Sequence, residues 1–217
     1  VSAESQLSAE ASGRRRNPPG QGSRLREEIV DAAARLLADG KSPSALSLRA
    51  VAREAGITAP AIYAHFTGMD DLLTAVVARR FAEFSAALND AVDALPASRT
   101  ARDELAARTL AYCRFGLDRR GDYELLFGRG EAYGGVAYEN SAGQSAFTDL
   151  VASVAAVRPD ADAVAIAAVL WPALHGLVYA RLELAGFPWP SLPAQVERLL
   201  DGLVMGAPPN AAGGISV

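Results

Sequence analysis

The sequence predicts an all-α protein, with three short helices at the front and about six longer ones behind. Three observations carry this. Apolar residues recur at helical spacing almost throughout, as in Ile29, Ala32, Ala33, Leu36 and Leu37. No stretch alternates apolar and polar residues between turn signals, so no strand or hairpin is expected, and no internal repeat is visible. The chain has 217 residues, half of them apolar, which suits one or two folded domains with a real core.

The elements follow in order. Residues 1–22 are rich in Ser, Gly and Pro and read as a disordered basic arm carrying Arg14, Arg15 and Arg16. The stripe from Ile29 to Leu37 is the first helix, and Gly40 can stop it in a left-handed cap. After the loop around Pro43, Ser47 is the expected N-cap of a second helix striped by Leu48, Val51, Ala52 and Ala55. Gly56 ends it. Thr58 is a candidate cap for a third helix over residues 58–66. Pro60 is tolerated there because first-turn N–H groups lack partners within the helix. A long helix over residues 70–95 carries Leu73, Val76, Val77, Phe84, Leu88 and Val92. Others are expected over residues 101–116, 123–127, 142–157, 161–185 and 194–204, with a Gly-rich loop before residue 142 and a loose tail at the end.

The second and third expected helices, joined by "AGI", have the spacing of a helix-turn-helix. Ala55 is small where two helices approach. Gly56 can take a positive φ at no steric cost, and Ile57 can fill the corner. A recognition helix reads bases from its N-terminal residues. Here those are Thr58, Ala59, Pro60 and Ala61, small enough for the backbone to approach DNA. Tyr63 and His65 could reach phosphates, while Phe66, three residues from Tyr63 and on the same helical face, is expected in the core. Ser47, Arg24 and Arg49 complete the candidate DNA contacts. For His65 a plain surface histidine is the alternative, for Arg49 a local ion pair, and for Arg14–Arg16 a solubilising tail rather than a minor-groove arm.

The run "EIVDAAARLLADG…LSLRAVAREAGITAPAIYAHFTGMDDLL" resembles the DNA-binding domain of the tetracycline-repressor (TetR) family in order and spacing, from Arg24 to Val77. The resemblance implies an all-helical homodimer on a palindromic operator, released when a small molecule enters the rear domain. It divides the chain into the arm 1–22, a helix-turn-helix domain 23–68 and a ligand-binding and dimerisation domain 69–217. Such a dimer sets its recognition helices about 34–36 Å apart, one turn of DNA. One residue departs from the family pattern. Met69 stands where members commonly carry a phosphate-contacting lysine.

Further on, "VLWPALHGLVYARLELAG" resembles the Trp-x-x-x-His-Gly segment of one C-terminal subgroup of that family. Trp171 and His175 are four apart and share a helix face. Two readings stand for them: a pocket wall with His175 orienting a ligand, or core residues with the histidine bonded to a neighbour. Tyr112, Phe115, Tyr123 and Phe127 could extend such a wall, which suits an apolar or aromatic effector, and Pro172 could bend its helix. Family resemblance also implies that the last two long helices pair with a second subunit.

Composition narrows the alternatives. Residues 163–180 hold no charge for 18 residues, long enough for a membrane span. The many alanines, Pro172, His175 and Gly176 favour a helix buried in a bundle or between subunits, so no membrane is expected. Residues 1–66 carry nine basic and seven acidic groups, which leaves −6 for the remainder of a chain whose net charge is −4. That gradient fits a DNA-facing front better than sequence-independent polyanion binding. An enzyme built on Cys113 with His175 or His65 is the rival class, but no catalytic signature surrounds the cysteine. Two histidines and one cysteine are too few for an ordinary zinc site. No cofactor is expected, the start does not read as a secretory signal, and a cytoplasmic bacterial regulator is the resulting expectation, with the Arg and Ala bias pointing to a GC-rich genome.

Overall fold

A computed structural model of the protein describes residues 21–38, 45–127 and 141–206. Residues 1–20 of the expected arm, the Gly40 stop, the Pro43 loop, the Gly-rich loop before residue 142 and the tail beyond Gly206 lie outside the described residues, while Gln21 and Gly22, expected in the arm, begin the first helix. Within them are nine helices and no strand. These are α1 (Gln21–Ala38), α2 (Leu48–Glu54), α3 (Ala59–Ile62), α4 (Met69–Asp93), α5 (Ala101–Asp118), α6 (Arg120–Phe127), α7 (Ser141–Val157), α8 (Ala163–Glu183) and α9 (Leu192–Leu203).

Local chemistry sets the helix starts. The Ser47 hydroxyl accepts from the Ala50 amide and caps α2. Thr100 and Asp103 form a reciprocal capping box on α5. Asp162 and Ser191 cap α8 and α9 through the amides of Ala165 and Ala194. Gly56 takes φ +67°, the left-handed conformation that lets the chain reverse between α2 and α3.

At the front, α1, α2 and α3 close over Ile29, Ala33, Val51, Ile62 and Phe66, all essentially buried. The first half of α4 completes this packing with Leu72, Leu73, Val76 and Val77. Its second half sends Phe81, Phe84 and Val92 into the rear. There α5 is central and packs on α4, α6, α7, α8 and α9. Phe84 is the hub of an aromatic interior, edge-on to Phe81, Tyr112, Phe115 and Phe127 at ring separations of 5.2–6.4 Å. Helix α8 runs through Pro172 from Ala163 to Glu183.

The tightest approach is at Gly116. A Cβ there would lie 2.7 Å from Val178 Cγ1 and 2.9 Å from Tyr123 Cδ2. Because α5, α6 and α8 meet at a residue with no side chain, Tyr123 can be wholly buried beside α8. Gly116→Ala should therefore lose about 1–3 kcal/mol of stability through overpacking. Urea denaturation checks this, and a variant as stable as the parent would show that the three helices can separate freely.

Candidate nucleic-acid interface and effector pocket

The third helix is shorter than its sequence pattern suggests. Regular α3 ends at Ile62, and residues 63–65 form turns in which His65 and Phe66 amides both donate to the Ile62 carbonyl. Tyr63 and Phe66 consequently do not share a face. Phe66 is buried at 1 % exposure under the Arg26 guanidinium, 4.7 Å from its ring, whereas Tyr63 stands out at 63 %. Thr58 occupies the N-cap position but makes no side-chain cap bond, so its hydroxyl is available. Thr58 and Pro60 are exposed, and Ala59 and Ala61 are half-buried, with Ala59 against the core. This front end presents a small, low surface with one projecting phenol.

Around it, Arg49 and Arg53 are exposed on α2 without an ion pair among the described residues. Arg24 pairs with Glu28 one turn along, and Arg35 ties α1 to Glu54 of α2. Ser47 is exposed, with its hydroxyl engaged in capping. His65 is half-buried. Met69 packs against the core at the start of α4, and Asp71 accepts from the Thr67 amide and hydroxyl, fixing the turn between α3 and α4.

The rear holds a cavity of about 60 Å³ between α4, α5, α6, α7 and α8. Of the aromatic candidates, Tyr112, Phe127 and Trp171 line it. His175 and Tyr123 stand behind the wall, and Phe115 is buried against Phe84, outside the lining. Phe84, Ser85, Leu88, Arg108, Phe147, Leu150 and Leu174 also line the cavity. They were missed because they converge from separate helices. Phe84 and Phe147 carried a hint, as aromatics on apolar stripes.

Behind the wall is a closed polar knot. The Tyr112 and Tyr123 hydroxyls lie 3.1 Å apart, and both reach Nδ1 of His175. Trp171 packs on His175 with ring centroids 5.0 Å apart and the planes tilted. Burial lowers the His175 pKa to about 4, so the ring is neutral at pH 7. A neutral ring accepts from a hydroxyl at Nδ1 in one tautomer and donates to it in the other, and the two hydroxyls bond each other. Burial likewise raises the pKa of both tyrosines. The histidine is bonded to neighbours, as the second sequence reading had it, yet it touches the cavity wall through Tyr112 and Trp171.

A second polar arrangement joins this region to the front. Arg79 pairs with Asp31 of α1 at 3.2 Å and with Glu83 at 3.4 Å. Glu83 also meets Arg80, whose Nε lies 3.2 Å from Asp122 in the first turn of α6. Burial raises the Asp122 pKa, with Arg80 opposing that shift. Cys113 is fully buried, its thiol pushed up to about 12, and no hydrogen bond joins it to either histidine among the described residues. No group of three or more potential metal ligands occurs among those residues.

An exposed helix-turn-helix in front of a helical, cavity-bearing domain defines a DNA-binding regulator class. Residues 29–76 match the bacterial regulatory proteins of the tetR family, and residues 105–206 match the tetracyclin repressor-like C-terminal domain. The chain belongs to this family of ligand-responsive transcriptional regulators. It is 52 % identical over 52 residues to an HTH-type transcriptional regulator of Haemophilus influenzae, a match spanning 24 % of this chain and 25 % of that relative. Among solved structures, a protein from Rhodococcus sp. RHA1 is 26 % identical with TM-score 0.66, covering 84 % of this chain and 94 % of the other. The fold is also that of FadR from Bacillus subtilis in complex with stearoyl-CoA, at 15 % identity and TM-score 0.65, over 83 % of this chain and 98 % of that one.

The His175 environment has a pH consequence. A base whose pKa falls on folding stabilises the fold fully above its unfolded value near 6.5. That contribution is lost as pH falls towards about 4, because the unfolded chain binds the proton first. Stability should decline over this window, and His175→Gln should flatten the decline. Denaturation midpoints at stepped pH check it, and an equal decline in the variant would assign the loss to other groups.

Proposed function

We propose that this chain is a repressor that binds a palindromic DNA operator as a homodimer and is released by a small, apolar or aromatic effector. The observation that carries the reading is the front of α3, with a projecting Tyr63, an uncapped Thr58 hydroxyl and the unpaired Arg49 beside it. Thr58 to Ala61 approach the base edges. Tyr63, His65, Arg49, Arg24 and Ser47 lie over the phosphates, with Arg24 exchanging Glu28 for a phosphate. The boundary between the DNA-binding unit and the effector domain falls near Gly68. Such a regulator works in the cytoplasm, beside the chromosome.

The dimer forms through α8 and α9. Helix α8 is long and apolar enough to cross a membrane, with 22 % of its apolar window buried. Ala167, Leu170, Leu174 and Val178 face the core, while Ala165, Ala168, Val169, Pro172 and Gly176 are exposed and recur along one side. A second copy of α8 fits that uncharged side. Val169→Glu should yield a monomer by sedimentation and lose operator binding. A variant still dimeric would place the interface elsewhere.

The effector acts through the cavity. Its volume of about 60 Å³ is far below the ~300–1,000 Å³ of ordinary ligand sites, so a ligand enters only as the walls part. Parting them moves Phe127 or Tyr112 and thereby α6, which is tied through Asp122, Arg80, Glu83 and Arg79 to Asp31 of α1.

The test is selection of genomic fragments by the purified protein at near-physiological salt. A palindrome should be enriched. Tyr63→Ala should weaken binding to it about fivefold, the ~1 kcal/mol of one hydrogen bond, with the dimer intact. If effector-free, refolded protein enriched no sequence, the regulator reading would fall and the enzyme alternative would reopen.

A further inference from the structure

We infer that the effector is an amphiphilic acid, with an apolar body among the rings of the cavity and a carboxylate held at its rim by Arg108 and Ser85. The inference rests on the effector-pocket reading above and names the chemistry of that pocket's ligand.

Arg108 lies on α5, four residues before Tyr112, so both side chains share one helix face and both line the cavity. Arg108 is half-buried as a residue, its bond to Asn89 is exposed, and it has no carboxylate within ion-pair distance among the described residues. One of its five donors is engaged, with NH1 donating to Asn89 Oδ1 at 2.8 Å. Asn89 and Ser85 are four apart on α4, so this bond sets the guanidinium over the Ser85 side of the rim. Ser85 has no hydrogen-bond partner among the described residues and offers a second donor. The neighbouring Thr109 hydroxyl is spent on the Leu105 and Ala106 carbonyls.

A guanidinium with unused donors at the rim of an apolar cavity matches a planar oxyanion better than a neutral head group. The rest of the lining is apolar, with Phe84, Phe147, Trp171 and Leu174 against the ligand body. Asp149 also lines the rim, but it is exposed, where water screens its charge. Arg108 is less exposed than Asp149, so its charge is the less screened of the two.

Isothermal titration of the full chain with two skeletons, octyl and 3-phenylpropyl, each as carboxylate, alcohol and amine, tests this. At least one carboxylate should bind about tenfold or more tightly than its matched alcohol and amine. Arg108→Gln should abolish that preference, so that acid and alcohol bind alike. Ala146→Phe, which fills the cavity and whose folding is checked by its thermal midpoint, should abolish binding of every form. Equal affinity for acid and alcohol, or preference for the amine, with Ala146→Phe still blocking, would overturn the acid inference and leave the pocket standing. Carboxylate binding that survives Ala146→Phe, or no binding of either skeleton in any form, would overturn both.

Discussion

One helix buried at both ends holds the molecule together. The 25 residues of α4 put Leu72, Leu73, Val76 and Val77 into the front core and Phe81, Phe84 and Val92 into the rear. At 1.5 Å per residue it is about 37 Å long, a stiff element with no proline in it. Both halves of the protein are therefore packed on the same rod, and neither can shift without sliding on it. The ion pairs along it are individually small in energy. They gain meaning from geometry. Arg79 faces α1, Arg80 faces α6, and Glu83 lies between the two cations. Arg80 and Asp122 have side chains only 15 % and 13 % exposed, so screening is weaker there than at the surface.

The polar knot behind the cavity is the other fixed point. Two tyrosine hydroxyls and one histidine nitrogen satisfy one another in an apolar interior, with Trp171 packed on the histidine, where an unpaired hydroxyl would cost more than the bond itself gives. Because Tyr112 is on α5, Tyr123 on α6, and Trp171 and His175 on α8, the knot couples three helices to the cavity wall. Gly116 lets these helices close on it. A ligand shifts such a structure only by binding one arrangement better than the other. In the proposed mechanism the differential contact is steric: a ligand of ordinary size would not fit between walls this close.

Much of the fold was legible because it is written in local chemistry. The stripe at Ile29 to Leu37, the Ser47 cap and the positive φ of Gly56 each follow from one helix or one turn. The end of α3 was not legible. Tyr63 and Phe66 have helical spacing, but the chain turns after Ile62 to bury Phe66 under Arg26, and the phenol swings out. Tertiary packing overrode a three-residue periodicity. The pocket divides the same way. Tyr112, Phe127 and Trp171 stood out as aromatics on helical stripes, whereas nothing in the sequence singled out Ser85 or Arg108. Only the meeting of α4 and α5 gives them a shared rim.

Helix α8 shows why composition alone misleads at its most apolar stretch. A membrane span and a helix between two protein surfaces have the same hydropathy. They differ in how the apolar residues are spent. Here one side, Ala167 to Val178, is consumed by the protein's own core. The opposite side is built from Ala165, Ala168, Val169, Pro172 and Gly176, small residues that suit close approach of another backbone. In the proposed dimer the same helix would be both the subunit seam and, through Trp171 and Leu174, a wall of the effector cavity. Widening the cavity then presses on the seam as well as on α6. The two DNA-reading helices would feel the ligand through their own α4 and through the spacing between subunits.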